Sequence, residues 1–149
     1  MEVPPLSDAE AHQEKEREIV YTGLFVENIQ ALVEQFPPKH PCIYAHHLTL
    51  AYRPGSLGNI TPGRKRVVKI VGRAFDEKGD ALLVECADSE KVYPHITLSC
   101  AHGVNPDYSN TLLEQTISAG TLERFAESIE LELTEGWWDG SDSTAKYTE

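Results

Sequence analysis

The chain has 149 residues, 40% of them apolar and 25% charged; this suits one globular domain that buries about two-thirds of its unfolded surface, and excludes disordered or collagen-like chains. Thirteen Lys and Arg against 24 Asp and Glu give a formal charge of -11, and that repulsion argues against extended tracking of a nucleic-acid backbone. Residues 1–17 are polar, carry two early prolines and read as a flexible lead to a single domain over 18–136, with 137–149 as a polar, frayed tail.

Within that domain "EIVYTGLFVE" predicts a strand, and "NIQALVEQFP" a helix with Asn28 as N-cap, Ile29, Leu32, Val33 and Phe36 at helical spacing, and Pro37 and Pro38 as its stop. "HHLTLAY" alternates, so His47, Thr49 and Ala51 share one strand face, Leu48 and Leu50 the other, and His46 is expected opposite His47. "RVVKIVGRAF" and "ALLVECA" predict a hairpin around "DEKGD", with Gly79 left-handed. "KVYPHITLSC" is a further strand, with His95, Thr97 and Ser99 on one face and Pro94 marking an edge or bulge. A helix follows, expected to be capped around Ser109 or Asn110 and closed by Gly120; "FAESIELELTE" then alternates as a half-exposed strand. The order βα, β, ββ, β, α, β predicts an α+β domain with mostly antiparallel sheet.

His47-Leu48-Thr49-Leu50 and His95-Ile96-Thr97-Leu98 repeat one pattern 48 residues apart. A shuffled chain of this composition yields about 0.01 such motifs. One HxT is no more than a half-buried histidine on a strand; two, with matched parity, would present two imidazoles and two hydroxyls to one site if the strands were adjacent. Such a set suits metal-free phosphate-ester chemistry, one imidazole taking a proton and the other giving one, with the threonines donating to non-bridging oxygens.

This pair resembles the twin HxTx signature of the two-histidine (LigT-like) phosphoesterase superfamily, in its compact cyclic-phosphodiesterase form. The resemblance implies a bilobal fold, with mostly antiparallel sheets forming a central groove and helices outside. It further implies metal-independent hydrolysis of 2′,3′-cyclic phosphates or of 2′,5′ and related phosphodiesters, with His47, His95, Thr49 and Thr97 as the catalytic set and no cofactor. The charge favours a small nucleotide or an RNA terminus as substrate, and a monomer is expected. The rival expectation is a non-catalytic module that binds a nucleotide or RNA end in the same groove.

Tyr21, Arg53, Tyr93 and Tyr108 are the further candidates for substrate binding, the tyrosines by base stacking, with packing as the alternative. Trp137 and Trp138 are read as either capping a substrate pocket or sealing a sheet edge, the structural role being the expectation. The basic run Arg64, Lys65, Arg66 and Lys69, flanked by Arg53 and Arg73, reads as either a solvated strand entrance or a phosphate-steering patch. His40, His46 and His47 have no acidic or cysteine partner at a familiar ligand spacing, so no metal site is expected. Cys42, Cys86 and Cys100 lack a C-x-x-C, and the chain has no basic and apolar leader and no apolar run of about 18 residues. A cytoplasmic or nucleocytoplasmic protein without membrane attachment is the expectation.

Overall fold

A computed structural model of the chain describes residues 19–138 apart from 55 and 59; the expected lead and the tail beyond Trp138 lie outside the described residues. Seven strands and two helices run in the order β1 (Tyr21–Phe25), α1 (Ile29–Gln35), β2 (Cys42–Ile43), β3 (His47–Tyr52), β4 (Lys65–Phe75), β5 (Gly79–Glu85), β6 (His95–Cys100), α2 (Tyr108–Ala119) and β7 (Glu123–Trp138).

Every pairing is antiparallel, and the strand order β6-β3-β1-β7-β4-β5 returns to β6. The result is a closed six-stranded barrel, with β2 extending the β3 edge along β6. The bilobal α+β fold with a central groove between two sheets does not form. What closes the sheet is β7: it pairs with β4 through Lys65↔Thr134 to Arg73↔Glu123, and with β1 through Phe25↔Thr134 to Tyr21↔Trp138. Both tryptophans thus belong to a 16-residue strand. Register breaks in β1, β4 and β5 supply local bends, which a short-stranded sheet needs in order to curl onto itself.

The alternation read from the sequence decides what fills the barrel. Leu24, Leu48, Leu50, Val68, Ile70, Leu82, Val84, Ile96, Leu98 and Leu133 are buried in one cluster, joined by Leu32 of α1 and by Phe36 at its C-cap. Asn28 caps α1, its side chain accepting from Ala31 N at 3.0 Å, as expected. The second helix lies on the outside, packing Leu112 and Leu113 on Ala74, Ala81 and Leu83. Its N-cap is Asp107 rather than Ser109 or Asn110, and Gly120 closes it in the left-handed region at φ 73°.

Gly79 is not left-handed, contrary to the hairpin expectation. The turn is built instead by Asp76, whose Oδ1 accepts from Lys78 N and Gly79 N. Gly79 is needed for room, since a Cβ there would sit 2.9 Å from the Tyr108 ring. A tighter constraint holds at Gly23, where a Cβ would lie 2.8 Å from the Leu48 carbonyl oxygen, a backbone atom of the first motif strand. Gly23→Ala should therefore cost about 1–3 kcal/mol, read as a lower urea midpoint; an unchanged midpoint would refute this packing.

Arg64, Lys65 and Arg66 of the basic run, and Arg73 beside it, are committed to carboxylates. Arg64 and Arg66 reach the fully buried Glu135 at 2.8 and 3.5 Å, Arg66 also reaches Asp88 at 3.0 Å, and Lys65 reaches Glu27 at 2.7 Å. Arg73 pairs with Asp80. Burial alone would raise the Glu135 pKa, but hydrogen bonds from Arg64 and Thr61 N and the charges of Arg64 and Arg66 bring it below the usual carboxylate value. These cations neutralise the protein's own acids, which leaves little of a phosphate-steering patch. No helix among the described residues is long and apolar enough to cross a membrane.

Candidate functional site

Strands β3 and β6 are neighbours, with Leu48 paired to Ile96. Because both residues are completely buried in the barrel, strand alternation turns His47, Thr49, His95 and Thr97 outward together. Before this pair the register slips, because the Thr97 carbonyl accepts from Ala45 N at 2.8 Å. On the other side of β3, Phe25 and Gly23 of β1 pair with His47 and Thr49. The four motif residues thus occupy one patch on the outer wall of the barrel, not facing walls of a groove.

His47 is enclosed by rings. Tyr21 stacks on it, with centroids 4.4 Å apart and planes 16° from parallel, and Phe25 lies at 5.9 Å. Tyr21 in turn contacts Trp138 at 5.4 Å. His46, expected on the opposite face, is beside His47: their Nδ1 atoms are 2.6 Å apart and their planes 13° from parallel. The reason is Ala45, a buried residue with φ 57°, which breaks the alternation before β3 begins. Burial chiefly, then the neighbouring charges of His46, His95 and Lys91, push the His47 pKa from 6.5 to about 3.

At His95, Nδ1 donates to the Tyr93 carbonyl at 2.8 Å. A carbonyl only accepts, so the proton is on Nδ1 and the lone pair of the neutral ring is on Nε2. Burial lowers the His95 pKa, with Lys91 adding to the effect, while the Tyr93 carbonyl and Asp107 oppose it. Thr97 Oγ1 shares a hydrogen bond with Ser109 Oγ at 2.8 Å, which ties α2 to the patch. The Ser89 hydroxyl donates to the Thr49 carbonyl at 2.7 Å and accepts from Lys91 N, and Glu90 N donates to the Leu50 carbonyl. These bonds pin the segment after β5 along β3 and bring Lys91, half-buried and without a carboxylate partner among the described residues, near both histidines.

Of the further candidates, Tyr21 is part of the patch. Tyr93 contributes its carbonyl to His95, while its ring packs against the Leu83, Leu112 and Leu113 cluster. Tyr108 is elsewhere, its hydroxyl donating to Asp76 at the β4–β5 turn. Arg53 follows β3 with φ 46° and lies over the Tyr52 ring at 5.3 Å. Trp137 is buried, and Trp138 stands beside Tyr21. His46, Ser109, Ser89 and Lys91 were missed by the sequence reading; only the doubled histidine of "HHLTL" offers a local signal, and the others depend on which segments meet.

Among the described residues no group of three or more His, Cys, Asp and Glu could hold a metal ion. A cleft of about 280 Å³ between α1, β4 and β7 is lined by Glu27, Asn28, Gln35, Lys65, Leu131 and Thr134, and contains none of the motif residues. Compared with known families and with curated proteins, the chain matches no family model and no curated sequence.

Proposed function

We propose that the protein is a metal-independent phosphodiesterase acting on 2′,3′-cyclic phosphates of small nucleotides or RNA ends, or on related 2′,5′ and cyclic nucleotide diesters. The observation that carries this reading is the shared outer face of His47, Thr49, His95 and Thr97 on adjacent strands about the Leu48–Ile96 pair. The resemblance to two-histidine phosphoesterases supports it through the motif chemistry alone, since the bilobal architecture is absent.

In this reading His47 is the general base, because its surroundings keep it neutral. His95 is the general acid, because the Tyr93 carbonyl and Asp107 offset part of the lowering that burial imposes on its pKa, a counterweight that His47 lacks. Water loses its proton to His47 Nε2 as its oxygen bonds to phosphorus; the bond to one ribose oxygen breaks, and that oxygen takes the proton from His95 Nε2. The hydroxyls of Thr49 and Thr97 donate to the non-bridging oxygens, and Lys91 offsets the charge that builds on them. Each proton transfer contributes about 10²–10⁴-fold. The net charge favours a short substrate, and three free thiols fit a reducing compartment such as the cytoplasm.

The test is incubation with 2′,3′-cyclic nucleotides, 2′,5′-linked oligonucleotides and cyclic dinucleotides, with and without EDTA, products being resolved by mass and by phosphate position. Turnover of at least one class, unchanged by EDTA, is expected. Substrates that bind yet stay intact would overturn the reading in favour of the non-catalytic module.

A further inference from the structure

The protein spends a left-handed, non-glycine residue to bring two consecutive histidines together. Ala45 is held by its N–H to the Thr97 carbonyl at 2.8 Å, and the His46 carbonyl accepts from Val26 N at 2.9 Å. The chain between β2 and β3 is therefore fixed from both sides, and the Tyr44 ring meets His46 edge-on at 5.9 Å. A left-handed alanine is a strained backbone conformation, and such residues cluster at functional sites.

We infer that His46 is a positioning residue: its Nδ1 accepts the Nδ1 proton of His47, which holds the His47 lone pair on Nε2, where the nucleophile's proton is taken. The inference rests on the reading of His47 as the base. Three geometric facts carry it. At 2.6 Å the two Nδ1 atoms must share one hydrogen, since two protons or two lone pairs would repel. With planes 13° apart and centroids 4.7 Å apart, the rings lie nearly side by side, as an in-plane N–H···N bond requires. The stacked Tyr21 ring then keeps His47 from turning away.

Only one direction of this bond is compatible with a base. If His46 donated, His47 would carry its proton on Nε2 and would have no lone pair to offer. With His47 donating, protonation at Nε2 leaves the bond intact, and the charge that His47 gains as His95 loses its own is solvated by the His46 lone pair. The groups facing this pair are Tyr21 from β1, His95 from β6, Lys91 from the segment after β5 and Tyr44 from the β2 link. Burial lowers the His46 pKa and so favours the neutral ring, as an acceptor must be.

Nitrogen-15 NMR of the imidazoles in the wild-type protein should show His47 protonated on Nδ1 and bare on Nε2 at neutral pH. His46→Leu should lose this tautomer preference, lower kcat by about 10–100-fold with little change in KM, and move the acid limb of the pH profile to lower pH, since the imidazolium form of His47 loses its acceptor. His46→Asn, whose side-chain oxygen can accept in place of Nδ1, should recover most of the rate. A wild-type His47 protonated on Nε2, or His46→Leu and His46→Asn variants equal to wild type in kcat and pH profile, would overturn the inference alone. Absence of turnover in the wild type would instead overturn the phosphodiesterase reading, and the NMR result would stand apart from it.

Discussion

Alanine at His47 or at His95 should each lower kcat/KM for a 2′,3′-cyclic nucleotide by about 10²–10⁴-fold, with the double variant little worse than the poorer single one, because acid and base serve one transition state. Both side chains face outward from the barrel wall, and the core beneath them is made by Leu48, Leu50, Ile96 and Leu98, so the variants should fold. The pH profile follows from the environments of the two rings. The free protein must have His47 neutral, which holds down to about pH 3, and His95 protonated, which fails above a pKa held below 6.5 by burial. The maximum of kcat/KM should therefore lie on the acid side of pH 6.5. A bound phosphate anion favours the protonated ring, so the kcat profile should extend further towards neutrality. A free-protein optimum well above pH 7, or full activity in either alanine variant, would rule out these roles.

The same burial couples the site to stability. Unfolded, each histidine titrates near 6.5; folded, His47 titrates near 3. Between these values the unfolded chain binds more protons, so the contribution of neutral His47 is fully present above about pH 6.5 and is lost as the pH falls towards 3. His47→Ala should flatten this acid-side decline, an effect visible in urea midpoints measured against pH.

Asp80→Ala should cost about 3–5 kcal/mol, the largest stability loss expected of a single polar change. Asp80 is completely buried and takes two hydrogen bonds of 3.0 Å from Arg73, one of 2.9 Å from the Ser99 hydroxyl and one of 3.0 Å from Lys39 N. Arg73 also reaches the Pro37 carbonyl at 2.7 Å. The cluster fastens the segment after α1 to β4, β5 and β6. Removing the carboxylate leaves the Arg73 guanidinium buried without its counter-charge, which costs far more than the net worth of the intact pair. Replacing both partners by apolar residues, as in Arg73→Met with Asp80→Leu, should recover much of the loss. A cost below about 1 kcal/mol for Asp80→Ala, by urea unfolding, would mean that water or another group reaches Arg73.

What the sequence by itself determined is local. Alternation is a covalent property of an extended chain, so once "HLTLAY" and "HITLSC" are strands, His47 goes with Thr49, His95 with Thr97, and the intervening leucines and isoleucine go to the core. The Asn28 cap and the Gly120 stop were legible for the same reason, since each satisfies the backbone within a few residues of itself. Only the tertiary structure decided that β3 and β6 are neighbours in one barrel rather than the centres of two lobes. That outcome depends on the long β7 strand reaching both β1 and β4, a pairing between distant segments that no local pattern encodes. His46 shows the limit most sharply. Its residue type suggests nothing beyond alternation, and its place beside His47 comes from Ala45 turning left-handed between two hydrogen-bonded neighbours that lie far away in the chain.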